Sequence, residues 1–366
     1  MKIAMIGHKR IPGREGGVEV VVEELATGLV KKGHQVYVYN RKKRGTRKIK
    51  EYKGVTVITV PTIERKSTDA VVYSFFATVH AVFCGYDVIH YHALGPSVML
   101  LLPHFLGIRT VVTVHGLNYK TPKWKGFGAK YIHWGEKITA KYADEIIVLS
   151  QEQQKYFQKK YDRETRFIPN GTTVYPIIKP KVISERWGLG EKKYVLFLSR
   201  IVPGKGLEHL LEAYAQIDEE LPLVVAGASV YVDEFYTKIK NMAEQDSRVR
   251  LIGFVEGEIL QELYSNAKLF VFPSEAEGMP MCLLEAMSYE TPCLVSDISE
   301  NMEVGKDYVA AFKVADVTDL RDKLKQQLKF PGNCRTNGSR EYIEKNYEWS
   351  KVVDRTVQCY QGEAWH

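Results

Sequence analysis

Two kinds of run, β-like and helical, alternate along this chain, and the whole alternation occurs twice. The first series reads Lys2–Ile6, Gly17–Lys32, Gln35–Asn40, Val55–Pro61, a helix over 70–84, Asp87–Tyr91, Ser97–Leu106, Thr110–Val114, Lys130–Lys141 and Glu145–Leu149. The second reads Tyr194–Ser199, Gly206–Gln216, Leu223–Ala226, Val232–Ala243, Arg250–Ile252, Glu258–Ser265, Leu269–Phe272, Cys282–Tyr289 and Pro292–Ser296. Parallel strands need a crossover to return, so strand and helix in alternation argue a doubly wound parallel sheet. Ile168-Pro169-Asn170-Gly171 and Tyr175-Pro176-Ile177-Ile178-Lys179-Pro180 supply turn and extended chemistry between the series, which sets a boundary near 175–182. A chain of 366 residues, 45% hydrophobic, suits two cores. The expectation is an α/β protein of two domains facing across a cleft, 1–178 and 179–340. A last helical segment, Ser339–Tyr360, is expected to cap either lobe or to cross back to the first, and 341–366 is set apart for it.

Charge divides the two series. Residues 1–180 carry 29 Lys and Arg against 14 Asp and Glu, and the rest of the chain carries 22 against 30. A basic lobe suggests an anionic partner: phospholipid surface, lipid pyrophosphate or nucleic acid. Arg41-Lys42-Lys43-Arg44 with Arg47, Lys48, Lys50 and Lys53, and the loop Tyr119–Phe127 with Trp124, are the stretches expected to meet anionic lipid at the inner face of a membrane. Five scattered cysteines without a Cys-x-x-Cys pair encode neither a disulfide framework nor a zinc site. The short apolar start reads as a first strand, so a cytoplasmic protein is expected. Ala70–Tyr86 is uncharged but too short to span a bilayer. Its bulky Val71, Val72, Phe75, Phe76, Val79, Val82 and Phe83 repeat at helical spacing, and that face is expected to pack on a sheet.

Four stretches could carry chemistry. Glu277 and Glu285 bracket a strand end, the Gly278-Met279-Pro280 turn and a helix start, where carboxylates can read the hydroxyls of a sugar and a ribose. Ser199-Arg200-Ile201-Val202-Pro203-Gly204-Lys205-Gly206 sets a rigid guanidinium fork and a point charge between strand and helix, a pairing suited to a diphosphate. The loop after the first strand, with Gly13, Gly16 and Gly17, feeds a helix and lets backbone approach a phosphate. His115 stands just past a buried strand, and His90 and His92 flank Tyr91 in another; those two are expected to alternate in direction, so that at most one faces the cleft. No Asp-x-Asp pair, His/Glu metal spacing or Gly-x-Ser-x-Gly elbow occurs, so no essential metal site and no hydrolase triad is expected.

Taken in order, Gly16-Gly17, His115-Gly116, Ile168-Pro169-Asn170-Gly171, Ser199-Arg200 with Lys205-Gly206, and Glu277-Gly278-x-Pro280 running to Glu285-Ala286-Met287 resemble the retaining glycosyltransferases of family 4, over nearly the whole chain. The resemblance implies a GT-B fold of two Rossmann-like domains. The Gly-Gly-Val-Glu loop and His115-Gly116-Leu117 with Lys123-Trp124 resemble enzymes of bacterial capsule and surface-polysaccharide assembly, rhamnosyltransferases among them. By this resemblance Arg200 and Lys205 hold the donor diphosphate, Gly16 and Gly17 approach it, and Glu285 binds the ribose. Glu277 with Gly278, Met279 and Pro280 holds the sugar, and His115 touches the sugar or the acceptor hydroxyl. It also implies retention of configuration, a nucleotide-sugar donor, a glycan or lipid-linked acceptor, and no cofactor. Arg and Lys on a diphosphate stabilise the charge that grows as the glycosidic bond breaks, which agrees with transfer that needs no metal.

The chain departs from the family at Thr172-Thr173, Tyr289-Glu290, Asn118 and Asp307–Ala311, so base and sugar preference do not carry over. Two readings from other classes stand beside it. A nucleotide-sugar epimerase of the same fold would use a similar diphosphate site without an acceptor surface. A nucleic-acid-binding protein would explain the basic lobe, but interleaved stacking aromatics are sparse there, and no nucleic-acid partner is expected.

Overall fold

The computed structural model describes residues 1–13, 16–42, 45, 48–63, 68–117, 127–229, 234–330 and 335–363. The chain forms two compact units, Met1–Gly171 joined by the chain from Trp349, and Thr172–Glu348. The first begins β1 (Lys2–Ile6), α1 (Gly17–Lys31), β2 (Gln35–Arg41), β3 (Glu51–Tyr52), β4 (Val55–Val60) and α2 (Asp69–Val82). It continues with β5 (Val88–His92), a 3-10 turn (Pro96–Leu100), α3 (Leu101–Phe105), β6 (Arg109–Val114), α4 (Phe127–Tyr142), β7 (Glu145–Val148), α5 (Gln151–Tyr161) and β8 (Arg166–Phe167). The second begins α6 (Val182–Trp187), β9 (Val195–Leu198), α7 (Leu207–Tyr214), β10 (Leu223–Ala226), α8 (Glu234–Glu244), β11 (Val249–Gly253) and α9 (Gly257–Asn266). It continues with β12 (Leu269–Phe272), α10 (Met281–Ser288), β13 (Cys293–Ser296), α11 (Ser299–Gly305), β14 (Ala310–Phe312), α12 (Val317–Lys329) and α13 (Ser339–Tyr347), and α14 (Trp349–Gln361) then returns to the first unit.

Among the described residues the first sheet runs β3-β4-β2-β1-β5-β6-β7-β8, parallel except for the β3–β4 edge, and the second, fully parallel, runs β11-β10-β9-β12-β13-β14. Each strand order reverses once. In the first sheet the chain leaves β1 toward β2 and comes back to place β5 on its other side; in the second it leaves β9 toward β10 and comes back with β12. Loops leaving the carboxyl ends of two such strands diverge to opposite faces and leave a crevice, the usual ligand position in doubly wound sheets.

Apolar clusters cover both faces of the first sheet. One joins β1, β5, β6 and β7 to α2, the 3-10 turn, α4 and α5. The other joins the opposite face to α1 and α14. A Cβ on Gly28 of α1 would lie 2.5 Å from Val353 Cγ2 of α14, so the two helices meet at a spot where only a hydrogen fits. The second unit has its own core of β9, β10, β12, α7 and α12 residues.

Three expectations are corrected. The last helical segment is two helices: Glu348 is extended (φ −70°, ψ 135°), α13 stays with the second unit and α14 joins the first. In α2 the faces are exchanged. Tyr73, Ser74, Ala77, Thr78 and Ala81 are buried, whereas Phe75, Phe76 and Phe83 are exposed. The buried polar groups are satisfied: Tyr73 Oη donates to the Tyr39 carbonyl at 2.6 Å, Thr78 and Tyr91 hydroxyls pair at 3.0 Å, and Ser74 donates back to Ala70 at 2.6 Å. Ser74, Ala77, Thr78 and Ala81 bring the helix axis close to the sheet around the single Tyr73 ring, and a whole face of Phe and Val would hold it off. Lastly, Arg41 is not part of an open basic surface. It is ion-paired with Asp69 at 2.7 Å and lies 4.9 Å from the centre of the Tyr73 ring. Lys43, Arg44, Arg47 and Tyr119–Gly126 with Trp124 lie outside the described residues.

Candidate functional site

β9 and β12 are hydrogen-bonded neighbours, so the loops that leave them start side by side at the point where the second sheet reverses. They dock on each other through backbone. Glu275 N donates to the Gly204 carbonyl at 3.0 Å. Gly206 has φ +67°, and a Cβ there would stand 2.0 Å from the Pro273 carbonyl oxygen, so this position admits glycine alone. From behind, Asn301 Nδ2 donates to Ser296 Oγ (3.0 Å), and the Ser296 hydroxyl donates to the Ser274 carbonyl.

That docking brings Lys205 and Glu277 into a direct ion pair, with both side chains mostly buried. Ser274, fully buried, gives its single hydroxyl hydrogen to Glu277 at 2.5 Å. One carboxylate is thus held by a cation from one loop and a hydroxyl from the other. Gly278, half-buried, and Met279 and Pro280, both buried, follow it into α10. Two turns on, Glu285 accepts from Tyr264 Oη at 2.9 Å, and the Tyr264 ring stacks on Tyr289 at 5.7 Å. Cys282 lies between the two glutamates' positions; burial, then the Glu285 carboxylate, pushes its thiol up to about 12, so it remains a neutral thiol. Arg200 stands apart. It is exposed and its side chain makes no hydrogen bond or ion pair among the described residues. Ser274, Tyr264 and Cys282 were missed by sequence reasoning; the Phe-Pro-Ser at the strand end was the only local sign of Ser274.

In the first unit the corresponding reversal lies between β1 and β5. The loop after β1 is clamped by Asn40, which accepts from Ile11 N (2.9 Å) and returns a bond to the Ile11 carbonyl (2.8 Å), and by buried Glu19, which accepts from Lys9 N (3.1 Å). Gly16 precedes α1 with an extended backbone (φ −169°) that any residue can adopt, and Gly17 opens the helix, exposed. The glycine requirement expected at Gly16 is therefore not one of backbone conformation.

Histidines gather here. His115 Nε2 lies 3.1 Å from His92 Nδ1, and the rings of His90 and His92 are 4.1 Å apart. The expectation that His90 and His92 alternate in direction is thereby corrected: residues two apart in a strand share a face. His90 is fixed by Tyr360 Oη of α14 and Thr113 Oγ1, both at 2.7 Å, and His8 by Asn40 at 3.1 Å. Burial pushes all four imidazoles down, His115 and His8 to about 4, His90 to about 3 and His92 well below its ordinary value. All four are neutral near pH 7, so His115 can exchange a hydrogen bond with a hydroxyl but carries no charge. Buried His8 Nδ1 and His92 Nε2 have no hydrogen-bond partner among the described residues.

Comparison with known proteins gives this geometry a context. Residues 181–349 match Glycosyl transferases group 1 and residues 15–174 match Glycosyltransferase Family 4. The chain is 26% identical to an uncharacterised glycosyltransferase of Methanocaldococcus jannaschii, over 99% of this chain and 98% of that one. It is 25% identical to the Escherichia coli UDP-Gal:alpha-D-GlcNAc-diphosphoundecaprenol alpha-1,3-galactosyltransferase over 75% of each. Anabaena HepE, solved in complex with UDP-glucose, superposes with a TM-score of 0.81 at 16% identity, covering 99% of this chain and 100% of that one. With one family match on each unit and a full-length structural likeness, the chain belongs to the glycosyltransferases of the GT-B fold.

Proposed function

We propose that this enzyme transfers a hexosyl or deoxyhexosyl group, with retention of configuration, from a nucleotide-diphosphate sugar to a glycan or lipid-linked acceptor in bacterial cell-surface polysaccharide synthesis. The observation that carries the reading is the Lys205–Glu277 pair, set with Glu285 at the reversal point of the second sheet. In it Lys205 neutralises the diphosphate, and Arg200, free to swing, closes on it from the exposed side. Glu285 takes the ribose hydroxyls. Glu277, with the backbone of Gly278, Met279 and Pro280, takes those of the sugar. Gly16 and Gly17 belong to the diphosphate side of the first unit, and neutral His115 meets a hydroxyl of the sugar or the acceptor.

The charge that must be stabilised is the one growing on the leaving diphosphate, and two cations serve that end without a metal. The HepE complex and the E. coli relative support a nucleotide-sugar donor, and that relative's named acceptor supports a lipid-diphosphate one. The acceptor would be met at the inner face of the cell membrane.

A thermal-shift screen of UDP-, dTDP-, GDP- and ADP-sugars tests the donor, since a ligand at about 100 times its Kd adds roughly 2.7 kcal/mol of stability. The stabilising donor is then incubated with lipid-diphosphate-linked acceptors in EDTA, and the anomeric configuration of the product is read by NMR. Transfer that stops in EDTA and returns with magnesium or manganese would refute the metal-free part. No stabilisation by any donor would remove the reading as a whole.

A further inference from the structure

Helix α2 presents its bulk outward. Phe75 is 51% exposed, Phe83 is 85% exposed, and Phe76, Val72 and Val79 complete a stripe along one helical face. Nothing in the core requires this, because Tyr73, Ala77 and Ala81 already fill the space above the sheet. α3 packs beside α2 in the same layer and extends the surface with exposed Phe105 and Leu106. A continuous apolar face of this kind marks a surface that meets something other than water.

Charge identifies what it meets. α4 lies next in the layer, where its Tyr142 ring is 6.2 Å from Phe105 and has Lys141 above it. Along the outer face of α4, Lys130, Trp134, Lys137 and Lys141 recur at intervals of four, three and four, all exposed. No Asp or Glu occurs between Ala70 and Tyr86 or between Ala93 and Ile108, and Glu136, the carboxylate of α4, is fully buried. The surface is therefore an apolar strip bordered by lysines; among the described residues of these helices the one partly exposed carboxylate is Asp69 at the start of α2, and it is paired with Arg41. A second copy docked by the same face in a two-fold arrangement would set a lysine-bordered patch against its own like. An anionic bilayer fits each part: aromatic rings at the acyl boundary, Trp134 at headgroup level, lysines on phosphates.

We propose that α2, α3 and α4 form a docking face for an anionic phospholipid bilayer. This deepens the reading of a lipid-linked acceptor. No helix among the described residues is long and apolar enough to cross a membrane, so contact of this kind would lie along the surface.

The test is cosedimentation of the full chain, without donor, with phosphatidylglycerol/phosphatidylcholine vesicles and with phosphatidylcholine vesicles alone. Binding to the first is expected, weakening as salt rises. Replacing Phe75, Phe83 and Phe105 together by Ser should lower it on the order of 100-fold. The melting curve should stay unchanged, because all three side chains are exposed. Lys130→Gln, Lys137→Gln and Lys141→Gln combined should lower binding on the order of 100-fold on anionic vesicles. Failure of the unaltered chain to bind, equal binding to both vesicle types, or binding that either set of replacements leaves intact overturns the proposal. So does a dimer, seen by light scattering, that the Ser replacements dissolve. A chain that binds vesicles but no nucleotide-sugar would sink the transfer reading and leave this one standing.

Discussion

Lys205 and Glu277 neutralise each other, and a diphosphate at this loop would compete with the carboxylate for the same ammonium. Glu277→Gln keeps the side-chain shape and the bond from Ser274 but removes that competitor. The expected outcome is an affinity for the free nucleoside diphosphate that rises roughly 3- to 10-fold, the scale of one partly screened ion pair. On the proposed role of Glu277, turnover should fall by about 100- to 1000-fold, because the carboxylate that holds the sugar hydroxyls in the transition state is gone. Calorimetric titration beside steady-state kinetics reads both. Loss of diphosphate affinity in parallel with turnover would mean that Glu277 supports the loop and does not compete with the diphosphate. Tyr264→Phe is a milder probe at Glu285: it removes one donor to a carboxylate and should weaken nucleotide binding by about 1 kcal/mol while leaving free diphosphate binding alone.

Elements hold these residues in place through close backbone contact, and the two glycines of the Lys205 loop separate strain from collision. Gly204 has φ +83° with open space around it, so Gly204→Ala should cost about 1 kcal/mol for the left-handed backbone alone. Gly206→Ala meets the Pro273 carbonyl as well, must part the two loops, and should cost several times more while disordering the Lys205–Glu277 pair. Denaturant unfolding of the two variants measures the difference; equal costs would show that the loops are not held in register by this contact. This kind of contact also marks what the sequence could tell. Strand ends and glycine positions are local, so the loops bearing Lys205 and Glu277 were legible at the right edge of the right sheet. That they touch depends on β9 and β12 being neighbours although 72 residues separate Lys205 from Glu277, and Tyr264 reaches Glu285 from a helix 21 residues back. The Ser274 bond to Glu277 is local, three residues away, but a serine before a turn does not by itself reveal its acceptor. α2 failed differently: its period was plain, but both of its faces are apolar, and only packing distance decides which one the sheet accepts. α12 was overlooked although Leu320, Leu324 and Leu328 repeat every four residues behind an Asp316 cap, whereas α5, with Phe157 the one buried apolar side chain in a polar helix, gave periodicity little to detect.

On the scale of the whole molecule, histidines divide the units. The sequence has ten, and His209 alone falls between Thr172 and Glu348. Buried His8, His90 and His92 and half-buried His115 have folded values below the free value near 6.5, so the unfolded chain takes up their protons first. The stability they confer is complete above about pH 6.5 and is lost as pH falls below it, at up to roughly 1.4 kcal/mol per pH unit for each group. Amide exchange followed by mass spectrometry should therefore quicken in β5 and β6 between about pH 6.5 and 5, once corrected for the intrinsic rate, while β9 and β12 remain protected. A parallel loss of protection in both sheets would refute this. The return of α14 bears on how the protein is made. A ribosome releases Met1–Gly171 first, but the sheet face over which Val352, Val353 and Tyr360 close stays bare until the segment after Glu348 emerges. The intervening unit holds all its strands by then, so the half of the molecule that is born first is finished last. A message truncated within α14 would yield a sound second unit beside a first one with its hydrophobic flank open to chaperones and proteases.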